Sequence, residues 1–183
     1  IDDGVAVVTM NRPGARNALN RELIGSVRQA LRDVDADPAV SAIILTGADP
    51  AFCAGLDLKE ISAEGLGGSA DDTERLPFET LTKPLIGAVN GPAVTGGFEL
   101  ALCCDFLIAS ERARFADTHA RVGVMPGWGL TVLLPQAIGI RRAREMSFTG
   151  NFMGADEALQ FGLVNHVVAH DDLIPFTRQL ATD

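Results

Sequence analysis

The stretch Leu85-Ile86-Gly87-Ala88-Val89-Asn90-Gly91-Pro92-Ala93-Val94-Thr95-Gly96-Gly97-Phe98-Glu99-Leu100 changes character twice. Leu85–Asn90 is a short apolar run without alternation, and it stops at Gly91-Pro92, a turn sequence. The small residues that follow lead into a helical stretch from about Gly96 to Cys104. A non-alternating strand that runs through a glycine-rich turn into a helix is a unit of a parallel sheet buried on both faces. The pattern also occurs upstream. Ala42-Ile43-Ile44-Leu45-Thr46 is a fully apolar strand ending at Gly47. The turn Phe52-Cys53-Ala54-Gly55-Leu56-Asp57-Leu58-Lys59 then opens a short helix from Asp57.

Outward from these units, Val5–Met10 is a β-rich run stopped by Asn11-Arg12-Pro13-Gly14. Asn20 can cap a helix over Arg21 to about Asp35, with Leu23, Val27, Leu31 and Val34 on one face. Asp105–Ala109 reads as a third apolar strand, and Leu130–Ile138 and Arg141–Phe148 read as helices. The whole predicts a single α/β domain of repeated β-β-α or β-α units. Ser62–Glu74 is rich in Gly, Ser and Asp, which predicts a mobile surface loop.

Composition narrows the function. The chain has 183 residues, the size of one domain. Lys plus Arg number 15 and Asp plus Glu 24, so the net charge is −9 and a nucleic-acid partner is not expected. No apolar run approaches the roughly 18–20 residues that span a bilayer, so no membrane partner is expected either. Ile1-Asp2-Asp3-Gly4 shows neither the basic region nor the cleavage site of a secretory signal, and no initiator Met. Cys53 and the adjacent Cys103 and Cys104 fit no bridging framework and read as reduced core residues of a cytoplasmic protein. His166 and His170 stand at helical spacing, but in a β-branched run, so no metal site is expected.

The chemistry-bearing motifs are few. There is no G-x-S-x-G elbow, no P-loop, and no G-x-G-x-x-G after a strand. The two glycine-containing turns remain. At the same end of a parallel sheet they can aim backbone N–H groups at one point, which is how an oxyanion hole is built from backbone alone.

Taken together, these turns resemble the signature of the crotonase superfamily, the enoyl-CoA hydratase/isomerase family. The resemblance rests on Asn11-Arg12-Pro13, Arg16-Asn17-Ala18-Leu19-Asn20, Phe52–Leu58, Lys83–Gly91 and Thr95-Gly96-Gly97-Phe98-Glu99-Leu100. It continues through Cys104-Asp105, Ala113–Ala116, Gly123–Gly127 and Ala158…Gly162-Leu163-Val164, and so covers Val5 to about Val168. It implies a crotonase-like ββα superhelix of stacked parallel sheets with surrounding helices, and an enzyme that processes acyl-CoA thioesters through an enolate-like anion. Coenzyme A is then part of the substrate, and no separate cofactor is needed.

Matched position by position, the resemblance places the oxyanion-hole N–H groups at Leu56 and Gly96. It makes Glu99 the acid/base. Family hydratases use a second glutamate, and the matching position here holds His119, which is the main departure. A Glu99/His119 pair bracketing a water would stand roughly 4–7 Å apart. Arg16, Ala18, Ala54, Gly55, Asp57, Leu58, Lys59 and Gly97 are the expected substrate and CoA contacts, with Arg16 and Lys59 as phosphate partners. Trp128 replaces what is often a small residue and can narrow the acyl pocket. Hydration of a trans-2-enoyl-CoA is the leading expectation. A Δ3–Δ2 isomerase and a non-catalytic acyl-CoA-binding homologue are the alternatives. The resemblance makes residues 1–183 a single crotonase-like core domain without the family's extreme N-terminus and the C-terminal helical segment that joins subunits, and it further implies a homotrimer or dimer of trimers.

Overall fold

The computed structural model describes residues 1–60 and 81–183. The predicted Ser62–Glu74 loop lies outside them. Five strands form a parallel sheet: β1 (Val5–Met10), β2 (Ala42–Gly47), β3 (Leu85–Val89), β5 (Phe106–Ser110) and β8 (His166–Val168), in the order β1-β2-β3-β5-β8. Every residue of β2 and β3 is buried, as non-alternating apolar strands require. Side-chain direction still alternates along each strand. Val7, Ile44, Ile86 and Phe106 form one cross-strand row. That face is covered by α7 (Leu173–Thr182) through Leu173, Ile174 and Leu180. Ile43, Leu45, Val89 and Leu107 face the opposite way, into the larger core with Val27 and Leu31 of α1 (Arg21–Ala36). Burying a side chain of this size contributes about 1.5–3 kcal/mol.

α1 begins as its sequence predicts: Asn20 accepts the N–H of Leu23 at 2.9 Å. β5 starts one residue later than the apolar run suggests. Asp105 acts as a clip instead, its carboxylate accepting the N–H of Leu85 at 2.7 Å and its own N–H donating to the Leu85 carbonyl at 2.8 Å.

A second, smaller sheet was not legible in the sequence. It joins β4 (Pro92–Val94) parallel to β6 (Arg114–Ala116), and β6 antiparallel to β7 (Met153–Gly154). These strands are too short to carry a period. Isolated parallel bridges extend the layer from Leu19 to Leu56 and from Cys53 to Ala93. The helix after the second turn is α2 (Gly96–Leu102), and a short α3 (His119–Val122) follows β6. Beyond it lie α4 (Leu130–Ile138), α5 (Ile140–Thr149) and α6 (Ala155–Gln160).

Candidate active site

The two glycine turns meet through backbone pairing. Cys53 donates its N–H to the Pro92 carbonyl at 3.0 Å, and Val94 donates to the Cys53 carbonyl at 3.0 Å. On the other side, Leu19 donates to Gly55 O at 2.7 Å and Asp57 donates to Leu19 O at 2.9 Å. This spends the amides flanking Leu56 on Leu19 and turns the N–H of Leu56 itself away from that strand. Gly96 opens α2, where a helix leaves its first N–H groups without intrahelical acceptors. Among the described residues, neither the Leu56 nor the Gly96 N–H is taken by a protein acceptor. A Cβ on Gly96 would stand 3.5 Å from the Trp128 ring and 3.6 Å from the side chains of Leu19 and Leu56. Leu56, Gly96 and Trp128 therefore share one small neighbourhood.

Gly55 and Gly97 are required by close approach. Gly55 has φ +93°, and a Cβ there would overlap Thr95 Oγ1. A Cβ on Gly97 would overlap the Cys53 carbonyl and lie 2.7 Å from the Cys53 Cβ and Sγ. Gly97 thus faces the neighbouring turn. Close packing against that turn requires glycine at this position. Thr95, at φ +49°, holds a backbone conformation that non-glycine residues rarely adopt, and it was missed by sequence reasoning.

Glu99 lies three residues after Gly96, hence on the same helix face. It is 2 % exposed, not a solvated surface acid. Its Oε1 accepts the N–H of Trp128 at 2.7 Å and of Leu130 at 3.3 Å. Its Oε2 lies 3.6 Å from His119 Nε2. That is closer than a pair held apart by a water's width. The physical reason is charge: a histidine cation is drawn toward a carboxylate, whereas two carboxylates repel.

On its far side, His119 Nδ1 lies 2.7 Å from Asp117 Oδ1, which also accepts the His119 backbone N–H at 3.2 Å. Burial works against the charge of His119, but Asp117 and then Glu99 outweigh it and raise the pKa to about 9. Burial likewise opposes the charge of Asp117, yet hydrogen bonds from His119 and Ser147 keep it below the usual carboxylate value. Asp117 is 2 % exposed, and it too was missed. Its sequence signal, an Asp two residues before the unusual histidine, was available. The thiols nearby are inert: burial, with Glu99 adding to it, pushes Cys103 up to about 12, and burial pushes Cys53 to about 12. Among the described residues no group of three or more His, Cys, Asp or Glu side chains is arranged to hold a metal ion.

The remaining expected contacts line the first turn. Ala54 and Asp57 are half-buried, Gly55 is buried, and Leu58 and Lys59 are exposed on a helical turn over 58–60. Asp57 precedes that turn as its cap, accepting the Lys59 N–H at 3.1 Å, where the sequence reading had placed it inside the first turn. It also pairs with Arg12 at 2.7 Å, and Arg12 donates to the Ala18 carbonyl at 2.9 Å. The hydrogen bond from Arg12 is the main reason the Asp57 carboxyl is held below its ordinary value. Arg16 is exposed, in the left-handed region at φ +51°. Asn17, fully buried, donates to the carbonyls of Ala48 and Ala51 at 2.8 and 2.7 Å and accepts the Arg12 N–H at 2.9 Å. Arg12 and Asn17 thus brace the turn that carries Leu56.

A second histidine cluster lies elsewhere. Ser110 Oγ is 3.0 Å from His170 Nδ1, and His170 Nε2 is 3.0 Å from Asp49 Oδ2. It has the residue types of a hydrolase triad, but Ser110 is fully buried and cannot meet a substrate.

A parallel α/β core whose strand-end turns leave the Leu56 and Gly96 amides without an acceptor among the described residues, beside a buried carboxylate–histidine pair, is the build of an enzyme that handles a developing negative charge. The chain belongs to the enoyl-CoA hydratase/isomerase family, whose model matches residues 1–183. It is 45% identical over 182 residues to "Probable enoyl-CoA hydratase 1, peroxisomal" of Arabidopsis thaliana, covering 97% of this chain and 68% of that one. It is 40% identical to the "Crotonyl-CoA hydratase" of Syntrophomonas wolfei, covering 98% of this chain and 72% of that one. The crystal structure of an enoyl-CoA hydratase from Mycobacterium tuberculosis H37Rv superposes with a TM-score of 0.91 at 54% identity, covering 99% of this chain and 78% of that one. The fold is the crotonase-like α/β arrangement expected from the sequence.

Proposed function

We propose that the chain is an enoyl-CoA hydratase, a lyase that adds water across the double bond of a trans-2-enoyl-CoA. The observation that carries this reading is the buried Glu99–His119 contact beside the amides of Leu56 and Gly96, which no acceptor takes among the described residues. In this reading the two N–H groups hold the thioester oxygen as it becomes an enolate, and losing one such donor costs about 3–4 kcal/mol. A water about 2.8 Å from both Glu99 Oε2 and His119 Nε2 sits at the apex of a narrow triangle, within hydrogen-bond reach of each. Glu99 takes a proton from that water as its oxygen bonds to C3. The π electrons move toward the thioester oxygen, and C2 takes the proton of His119 Nε2. Transfer of the proton from Glu99 to His119 restores the starting state.

Arg16, Ala18, Ala54, Gly55, Asp57, Leu58 and Lys59 would contact the CoA portion, which enters with the substrate, so no separate cofactor is required. Trp128 would wall the acyl pocket. The reading also carries a cytoplasmic location, supported by three free cysteines, and assembly as a homotrimer or dimer of trimers. No helix among the described residues is long and apolar enough to cross a membrane.

The test is the fall of enoyl-thioester absorbance with crotonyl-CoA and longer homologues. Wild type should turn over, and Glu99→Gln should lower the rate by roughly 10²–10⁴-fold. Isomerisation of a 3-enoyl-CoA without hydration would replace this reading with the isomerase. Binding of CoA esters with no turnover of either substrate would replace it with a binding protein.

A further inference from the structure

We propose that Asp117 is a positioning residue: through Nδ1 of His119 it turns the ring's Nε2–H toward Glu99 Oε2, making the site a cation facing a carboxylate rather than two carboxylates. The mechanistic consequence rests on the hydratase reading; the geometry does not. Asp117 Oδ1 holds His119 twice, at the ring nitrogen at 2.7 Å and at the backbone N–H at 3.2 Å. This short Asp-x-His loop leaves the ring little freedom to flip. Both partners are buried, so the Coulomb attraction is weakly screened. Glu99 is fixed independently, because its Oε1 is held by the amides of Trp128 and Leu130 and only Oε2 faces the ring.

The charged groups acting on His119 are thus Asp117 from its own segment and Glu99 from α2, while Ser147 on α5 hydrogen-bonds Asp117. With a carboxylate against each ring nitrogen, the neutral ring would leave one carboxylate facing a bare lone pair, so the doubly protonated ring is favoured. The raised pKa of about 9 agrees with this. The division of labour follows: the imidazolium is the proton donor to C2, and Glu99 is the base toward water.

The experiment is ¹⁵N NMR of the imidazole nitrogens in wild type and Asp117→Asn, with His119 assigned by loss of its signals in His119→Gln. In wild type both nitrogens should be protonated at pH 7.5, with a midpoint near 9. In Asp117→Asn the midpoint should fall by about one unit or more. The alkaline limb of kcat/KM on crotonyl-CoA should move with it. kcat should drop roughly 10–100-fold, short of the full 10²–10⁴ of an acid–base group, while KM changes little. A neutral His119 in wild type at pH 7.5 overturns the proposal, and that measurement stands even where the variant fails to fold. An unchanged midpoint in a folded Asp117→Asn also overturns it and leaves Asp117 a structural clip. Should wild type fail to hydrate any enoyl-CoA, the functional reading falls, while the NMR midpoints still decide the role of Asp117.

Discussion

His119 is 4 % exposed yet carries a pKa raised to about 9 from an ordinary 6.5. Burial alone would favour the neutral ring; two carboxylates at close range reverse that. The shift has a stability consequence with a definite sign. A group whose folded pKa is raised stabilises the fold fully below its unfolded value and loses that contribution as pH rises through the folded value. Asp117 has the opposite sign: its lowered pKa adds stability above the ordinary 3.8, lost as pH falls through the folded value. The two contributions coexist from about pH 4 to pH 6.5, and that of His119 fades between about 6.5 and 9. The stability difference between wild type and His119→Gln, measured by urea unfolding, should therefore be larger at pH 6 than at pH 9.5. A difference independent of pH would mean that folding leaves the His119 pKa unshifted.

At the N-terminus of α2, adjacent glycines do different work. A Cβ on Gly97 collides with the backbone of the turn at Cys53, which cannot yield without separating the two turns. A Cβ on Gly96 meets only the side chains of Trp128, Leu19 and Leu56, at 3.5–3.6 Å, an ordinary contact distance. Gly97→Ala should thus destabilise the protein by about 1–3 kcal/mol or more, as overpacking does. Gly96→Ala should leave stability within about 1 kcal/mol, because alanine suits a helix, while altering substrate kinetics at the candidate oxyanion site. Thermal unfolding beside steady-state kinetics separates the two. Equal loss of stability would show that both glycines serve packing.

Across the molecule, the Ser110–His170–Asp49 cluster ties the segment entering α7 to the ends of β2 and β5. Asn90 extends it, donating to Asp49 at 2.9 Å, which is the main reason the Asp49 carboxyl is held below its ordinary value. α7 covers one face of the parallel sheet, so the cluster fastens a cover onto the core. Asp49 is largely exposed, so its ion pair adds little. The bond to the buried Ser110 carries more. His170→Ala should lower unfolding free energy by about 1–2 kcal/mol and leave hydration kinetics unchanged. A rate loss without a stability loss would link the cluster to the site.

Much of this architecture is written locally. The apolar runs at Ala42–Gly47 and Leu85–Val89, the capping Asn20 and the stripe Leu23-Val27-Leu31 specify buried parallel strands and an amphipathic helix from neighbouring residues alone. The turn motifs around Leu56 and Gly96 are local as well, and they carried the family resemblance and Glu99. Other features depend on residues remote in sequence. β4, β6 and β7 are too short to show a period and exist because the larger sheet brings them into register. His170 meets Asp49, 121 positions away, although β3 and β5 stand between β2 and β8, because the turn after β2 and the segment after β8 converge beyond the strand ends. Position 97 requires glycine because the Cys53 backbone lies against it. The 3.6 Å between Glu99 and His119 was set by packing α2 against the end of β6, where buried opposite charges attract strongly enough to close a gap that spacing along the chain does not encode.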